Sequence, residues 1–219
     1  MSFYDILMQS APALGLGVWL TVKFAVLSMI FGLVAAVVLA TMGISHNRLL
    51  VGIARTYVSV IRGTPLLVQI FVVYYGLPAA GISLDPTPAG VLALSVNVAA
   101  YLSESMRGAI LGITPGQWLA AYSLGLRRGQ ALRYVIGPQA LRIATPSLAN
   151  SLISLIKDTS LVSVITVTEL LRSTQELIAS TFYTLPFYLV AAALYWVMCT
   201  ILEIVQRQVE KRLALPGRH

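Results

Sequence analysis

Five long apolar segments divide the chain. They run over residues 14–42, 50–76, 88–111, 147–168 and 184–205, with shorter polar stretches between them. A helix needs about 20 predominantly apolar residues to cross the hydrocarbon core of a bilayer, and each segment is long enough. The pattern predicts an all-α membrane protein with five transmembrane helices, folded as a single domain over residues 1–219. Because five is an odd number, we expect the two termini on opposite sides of the membrane.

The composition supports a membrane location. The chain is 58% hydrophobic and only 11% charged, with a mean hydropathy of +0.83, which is more apolar surface than one soluble core of this size can bury. The first apolar segment is too long for the hydrophobic part of a signal peptide, and Asp5 but no basic residue precedes it. We therefore expect it to be a retained first span.

The net charge of +7 is unevenly distributed over the predicted loops. Loops one and three and the C-terminal tail are basic, whereas the opposite side carries mostly acidic residues. By the positive-inside rule the basic side faces the cytoplasm, so the N-terminus is expected outside and the C-terminus inside. This distribution indicates a membrane protein with no nucleic-acid partner. The basic side holds Arg48, Arg127, Arg128, Arg133, Arg142, Arg207, Lys211, Arg212 and Arg218.

Catalysis by the chain itself is not expected. A phosphate-binding P-loop requires a Gly-Lys pair, and none of the three lysines follows a glycine. The two histidines, His46 and His219, lie in a loop and at the last position, which predicts neither a metal centre nor a serine triad. We expect no metal and no cofactor on this chain.

Polar residues inside the apolar segments are the candidate functional residues, because such groups are costly in a bilayer. Asn97, Tyr101 and Glu104 have i, i+4, i+7 spacing and so share one face of the third helix. They could equally contact a substrate or form hydrogen bonds between helices. Asp158 in the fourth segment falls near the middle of the bilayer if its helix begins near Ser147, and this depth favours a binding site.

The second segment contains a predicted break. Arg62 is followed directly by Gly63, Thr64 and Pro65, and proline frees a backbone carbonyl and bends a membrane helix. Arg62 is placed where it could cap freed backbone or pair with an acid. We favour a structural role for these four residues over substrate contact.

The longest polar connection is the basic loop over residues 112–142, which contains the sequence GQWLAAYSLGLRRGQALRYVIGPQALR. Pro115 permits a helix start and Gly125 a helix end, so a first short helix is expected between them. A second short helix is expected to end at Gly137 and Pro138. Two such helices could form a docking element for a partner or an amphipathic hairpin that lies on anionic lipid, with Trp118 in the interface.

This loop resembles the EAA loop of permease subunits of bacterial ATP-binding cassette importers. That pattern runs Glu-Ala-Ala, three residues, Gly, nine residues, then Ile-x-Leu-Pro. The positions that match are Ala120, Ala121, Gly125 and Pro138, with Val135 in the place of the isoleucine. Leu119 stands where the pattern has glutamate and Gly137 where it has leucine, so one polar contact with the partner is expected to be missing.

Nearly the whole chain is similar to the polar amino-acid branch of these permeases. The matching sequences are RGTPLLVQ, VYYGLP, Asn97 to Glu104 as N-x-x-A-Y-x-x-E, GQW, PQA and LIKDTSL. The resemblance implies a five-helix type I, or MetI-like, importer permease that works as a pair of identical or related chains. It also implies an extracytoplasmic amino-acid-binding protein and two ATPase subunits, which hold the ATP and magnesium.

The resemblance also assigns residues. It implies that an amino acid lodges near Asn97, Tyr101, Glu104 and Asp158 in the cytoplasmic membrane of a bacterium. It further implies that the ATPase docks on Trp118, Leu119, Ala120, Ala121, Gly125, Arg127 and Arg128. Two other classes stay open on the residues alone: a secondary carrier that needs no ATP, and a membrane scaffold or sensor that does not transport.

Overall fold

The computed structural model describes residues 3–213, and all regular structure in this range is helical. Arg218 and His219 lie outside the described residues. Two π-helical turns, Val72–Gly76 and Leu132–Ile136, and one 3-10 segment, Thr159–Ile165, join some of the helices. The helices are α1 (Phe3–Gly43), α2 (Arg48–Arg62), α3 (Leu66–Phe71), α4 (Leu77–Ala79), α5 (Pro86–Leu111), α6 (Pro115–Ser123), α7 (Arg128–Ala131), α8 (Gly137–Asp158), α9 (Leu170–Thr181) and α10 (Thr184–Leu213).

Four helical stretches in the described part of the chain are long and apolar enough to cross a membrane. They contain α1, α5, α8 and α10. A fifth span is formed if α2 is counted together with the segment Leu66–Ala79, to which it is bent by 107°. Counted in this way, the described chain has the five predicted spans, and the second span is broken between α2 and α3.

Several helix bounds differ from the apolar segments. α1 begins at Phe3 rather than near residue 14, and α8 begins at Gly137 rather than at 147. Hydropathy marks the part of a helix that suits lipid, whereas backbone hydrogen bonding continues through polar turns at either end. The helices therefore extend beyond the predicted spans.

α1 and α5 form the centre of the bundle. At their crossing a Cβ added to Gly32 would lie 2.3 Å from a methyl group of Val98, so only glycine allows this approach. Leu94 and Leu102 of α5 are fully buried in the same core. α8 packs against α5, α9 against α1, and α10 against α8 and α9.

The break in the second span is capped by a glutamine. Pro65 is extended, with φ −63° and ψ 137°, and α3 begins after it. The side-chain nitrogen of Gln69 donates to the carbonyl oxygens of Ile61 at 2.7 Å and Thr64 at 3.1 Å. Gln69 therefore caps the backbone carbonyls that the break leaves free, a role that the sequence suggested for Arg62.

The second short helix of the basic loop does not end at Gly137 and Pro138, contrary to the prediction. α7 continues through the π turn Leu132–Ile136 directly into α8. The wider turn accommodates Pro138, which has no N–H to donate. A Cβ on Gly137 would lie 2.6 Å from the Leu132 carbonyl oxygen, so glycine is needed where the turn closes.

α9 lies in the stretch that the sequence assigned to an outward loop. It begins at a buried N-cap, because the carboxylate of Glu169 accepts from the backbone N–H groups of Leu171 at 2.9 Å and Arg172 at 2.7 Å. The Tyr195 hydroxyl of α10 donates to the same carboxylate at 2.6 Å. These bonds tie α9 to the bundle at the end opposite α6.

Candidate functional site

A polar cavity of about 550 Å³ opens between α3, α5 and α8. Its walls bring together Asn97, Tyr101 and Asp158, which are three of the four residues predicted to contact a substrate. Thr64 and Pro65 from the break in the second span also line it. Among its described lining residues, Asp158 is the one charged side chain.

α8 contributes a stripe of short polar side chains that the sequence analysis missed. Ser147, Ser151, Ser154 and Asp158 all line the polar cavity, and their i, i+4, i+7, i+11 spacing places them on one helical face. The spacing rule applied to α5 would have found this stripe as well. The stripe gives the cavity several hydroxyl groups beside one carboxylate.

Asp158 lies at a change of helix type. α8 ends at this residue, and the backbone tightens into the 3-10 segment Thr159–Ile165. Lys157 is exposed and does not line the polar cavity, although it is adjacent in sequence. Neighbouring residues of a helix point about 100° apart, so the lysine does not neutralise Asp158 inside the cavity.

Asn97 is held in place by the residue that caps the break. Its side-chain nitrogen donates to Oε1 of Gln69 at 2.9 Å, and both side chains are buried. The amide plane of Asn97 is thereby fixed at the wall of the polar cavity. Gln69 belongs to the sequence RGTPLLVQ, but its place beside Asn97 is not evident from spacing.

Glu104 does not line the polar cavity. It shares a helical face with Asn97 but lies seven residues, or about 10 Å, further along the axis of α5. There it accepts from the guanidinium of Arg107, whose Nε lies 3.0 Å from one carboxylate oxygen. Glu104 and Arg107 both line a second cavity of about 230 Å³, which lies between α1, α2 and α5.

Tyr101 stands between these two cavities. Its ring lines the polar cavity, and the guanidinium carbon of Arg62 lies 5.3 Å from the ring centroid in a cation–π contact. Arg62 itself lines the second cavity. The exposed Gly63 connects Arg62 to Thr64, so the break in the second span forms part of the boundary.

α6 packs one face on the bundle and exposes the other. Ala121 is buried, and Trp118 packs against a small apolar cluster at the ends of α5 and α8 that includes Ile113 and Ile136. Leu119 is 67% exposed and Leu124 is 80% exposed. The remaining predicted docking residues Ala120, Gly125 and Arg127 are also exposed, whereas Arg128 is half-buried.

Gly125 ends α6 in the left-handed conformation, with φ +76°. The N–H of Leu126 returns to the carbonyl oxygen of Ala121 at 3.2 Å, as in a Schellman motif. The predicted helix start at Pro115 and helix end at Gly125 are both confirmed.

Arg128 joins the basic loop to the connection between α1 and α2. Its guanidinium hydrogen bonds with the carbonyl oxygen of Ile44 and with the ring of His46. More than eighty residues separate these partners, so no local pattern predicts the contact.

Within residues 3–213, no three histidine, cysteine or acidic side chains come together as metal ligands.

The chain is similar to known membrane transport proteins. The family model described as "Binding-protein-dependent transport system inner membrane component" matches residues 28–215. The L-cystine transport system permease protein TcyB of Bacillus subtilis (strain 168) is 45% identical over 96% of this chain and 91% of its own length. The glutamine transport system permease protein GlnP of Escherichia coli (strain K12) is 36% identical over 97% of this chain and 98% of its own.

A crystal structure of an amino acid ABC transporter with histidines contains a chain of the same fold. It superposes with a TM-score of 0.89 at 34% identity and covers 97% of this chain and 99% of the other. The predicted all-α, five-span, MetI-like fold is confirmed, and the relatives are transport components rather than enzymes. The chain belongs to the family of binding-protein-dependent transport system inner membrane components, in its amino-acid ABC permease branch.

Proposed function

We propose that the chain is the membrane subunit of an ATP-driven importer. It takes an amino acid from an extracytoplasmic binding protein and passes it across the bacterial cytoplasmic membrane by alternating access. The observation that carries this proposal is the polar cavity, because one carboxylate, two amides and several hydroxyls face a common space inside a largely apolar bundle. Such a set of groups suits a small zwitterion.

The lining residues suggest how an amino acid binds. Asp158 pairs with the substrate ammonium, and the side chains of Asn97 and Tyr101 orient its carboxylate by hydrogen bonds. Glu104 is not part of this binding site, since it lines the second cavity and pairs with Arg107. L-cystine is the first substrate to test, because the relative with 45% identity is described as an L-cystine permease.

The basic side of the chain faces the cytoplasm in this proposal, with the N-terminus outside and the C-terminus inside. The exposed face of α6 docks a separate ATPase subunit through Leu119 and Ala120, with Gly125 and Arg127 beside them. The ATPase binds ATP and magnesium, and this chain binds neither. A second permease chain, identical or related, completes the pathway.

α6 is suited to transmit motion. Trp118 attaches it to the ends of α5 and α8, and Arg128 attaches the following loop to the connection between α1 and α2. When the ATPase subunits close, the two docked loops approach each other and the attached helices tilt. The polar cavity then changes the side of the membrane to which it opens.

Reconstitution tests the proposal against its alternatives. Proteoliposomes that contain the permease pair, its ATPase and its binding protein are expected to take up radiolabelled amino acid only with ATP and magnesium. Uptake that proceeds without ATP would instead identify a secondary carrier. Bound ATPase with no uptake of any amino acid recognised by the binding protein would identify a scaffold or sensor.

A further inference from the structure

The second cavity is strongly basic. Arg55, Arg62 and Arg107 all line it, and Glu104 is the one acidic residue among the described residues that do so. We refer to it as the arginine cavity. Arg107 and Glu104 neutralise each other through their hydrogen bonds. The other two guanidiniums form no ion pair with any described acidic residue, so the cavity has an excess of two positive charges.

The two unpaired guanidiniums of the arginine cavity belong to exposed residues, so they face open space rather than the packed core. Arg55 and Arg62 lie on α2 about 10 Å and 21 Å from its first residue, Arg48, and α2 belongs to the broken second span. An unpaired guanidinium attracts an anion, and the attraction is stronger the less water surrounds the pair. Its planar fork matches carboxylate oxygens particularly well. The arginine cavity is therefore built to receive an anionic group.

The arginine cavity lies beyond the polar cavity on the way to α6. Gly43 at the end of α1 and Arg107 near the end of α5 line it. The contact of Arg62 with the ring of Tyr101 forms the boundary between the two cavities. In the proposed orientation, an amino acid that leaves the polar cavity for the cytoplasm meets the arginine cavity next.

The two cavities carry opposite charge. The polar cavity has one carboxylate and no basic lining residue among those described, whereas the arginine cavity has three guanidiniums and one carboxylate. A zwitterion bound in the first by its ammonium presents its carboxylate to the second. We propose that the arginine cavity is a second binding station, which receives the carboxylate of the amino acid before its release. This inference rests on the proposed importer function.

The test uses the complete reconstituted transporter and the amino acid it takes up, with radiolabelled L-cystine tried first. Arg55→Gln and Arg62→Gln are each expected to lower the uptake rate about tenfold, because each variant removes one charged partner of the substrate carboxylate. Equilibrium binding of the same amino acid to the polar cavity is expected to stay within twofold. Arg55→Lys, which keeps the charge, is expected to restore a substantial part of the rate.

The matched control is Arg48→Gln, because Arg48 begins the same helix but lies outside the arginine cavity. Equal uptake rates for Arg55→Gln, Arg62→Gln and this control would overturn the inference, while ATP-dependent uptake by the unaltered chain would still uphold the importer function. Absence of all uptake by the unaltered chain would overturn both.

A lipid phosphate is the competing anion for this cavity. The assay is therefore repeated in vesicles of phosphatidylcholine alone and in vesicles with added phosphatidylglycerol. If a substrate carboxylate is bound, the ratio between the unaltered chain and Arg55→Gln is the same in both. If the unaltered chain and Arg55→Gln take up the amino acid at equal rates in the vesicles without anionic lipid, the cavity holds a lipid headgroup and the inference is wrong.

Discussion

The side chains of Gln69 and Asn97 are joined by a buried hydrogen bond of 2.9 Å, although 28 residues separate them in the sequence. Gln69 also donates to the carbonyl oxygens of Ile61 and Thr64, which the break before α3 leaves without helical partners. One glutamine thus stabilises the broken second span and fixes a wall of the polar cavity.

Gln69→Met is expected to destabilise the protein. The substitution keeps a similar length but leaves two partly buried carbonyls and the buried Asn97 amide without a partner, which costs roughly 2–4 kcal/mol in the free energy of unfolding. Thermal unfolding of the purified chain in detergent measures the change. Gln208→Met on the exposed surface of α10 is the matched control, and an equal effect of both would contradict the structural role of Gln69.

Asp158→Asn is expected to weaken substrate affinity. If the carboxylate pairs with the substrate ammonium, its loss raises the KM for ATP-dependent uptake about tenfold or more. Glu203→Gln, which removes an exposed acid of α10, is expected to leave the KM unchanged. An unchanged KM in Asp158→Asn would exclude this residue from the proposed binding site.

Gly125→Ala is expected to weaken docking of the ATPase. No atom lies within 4 Å of an added Cβ, but φ +76° in a residue with a side chain costs about 1 kcal/mol or more and disturbs the end of α6. Co-purification of the ATPase measures the loss, and Gly125→Asp is expected to abolish it. Gly116→Ala in the first turn of α6, which also has open space but a helical backbone, is the control. Full ATPase recovery with Gly125→Asp would instead favour a lipid-bound loop.

Gly137→Ala is expected to distort the π turn before α8. The added Cβ would lie 2.6 Å from the Leu132 carbonyl oxygen, and relieving this clash costs about 1–3 kcal/mol. Gly129→Ala in α7, where no atom lies within 4 Å, is expected to be neutral. The thermal unfolding midpoints of the two variants should therefore differ by several degrees, and equal midpoints would contradict the crowding at Gly137.

Glu169 predicts a pH dependence of stability. Burial raises the pKa of its carboxyl above the ordinary value of 4.5, although the hydrogen bonds from Tyr195, Leu171 and Arg172 lower it. The unfolded carboxyl ionises first as the pH rises, so folding loses stability between 4.5 and the raised pKa. The thermal midpoint of the unaltered chain should fall relative to that of Glu169→Gln across this interval. A difference between the two that is constant with pH would contradict this.

The sequence by itself determined the number of spans, the helical class, the resemblance to amino-acid permeases and the ends of α6. These features depend on local composition and spacing: apolar length sets a span, and a glycine in the right place ends a helix. The i, i+4, i+7 spacing also gave the correct face of α5 for Asn97 and Tyr101. Spacing along one helix, however, fixes a direction and not a neighbour.

The tertiary structure decided which groups meet. It separated Glu104 from Asp158, placed Gln69 rather than Arg62 on the freed carbonyls, carried α7 through a π turn into α8, and brought Arg128 to His46. Each of these depends on how whole helix surfaces pack, because partners tens of residues apart are brought together only when every intervening helix has its final position. The division into a polar cavity and an arginine cavity follows from that packing.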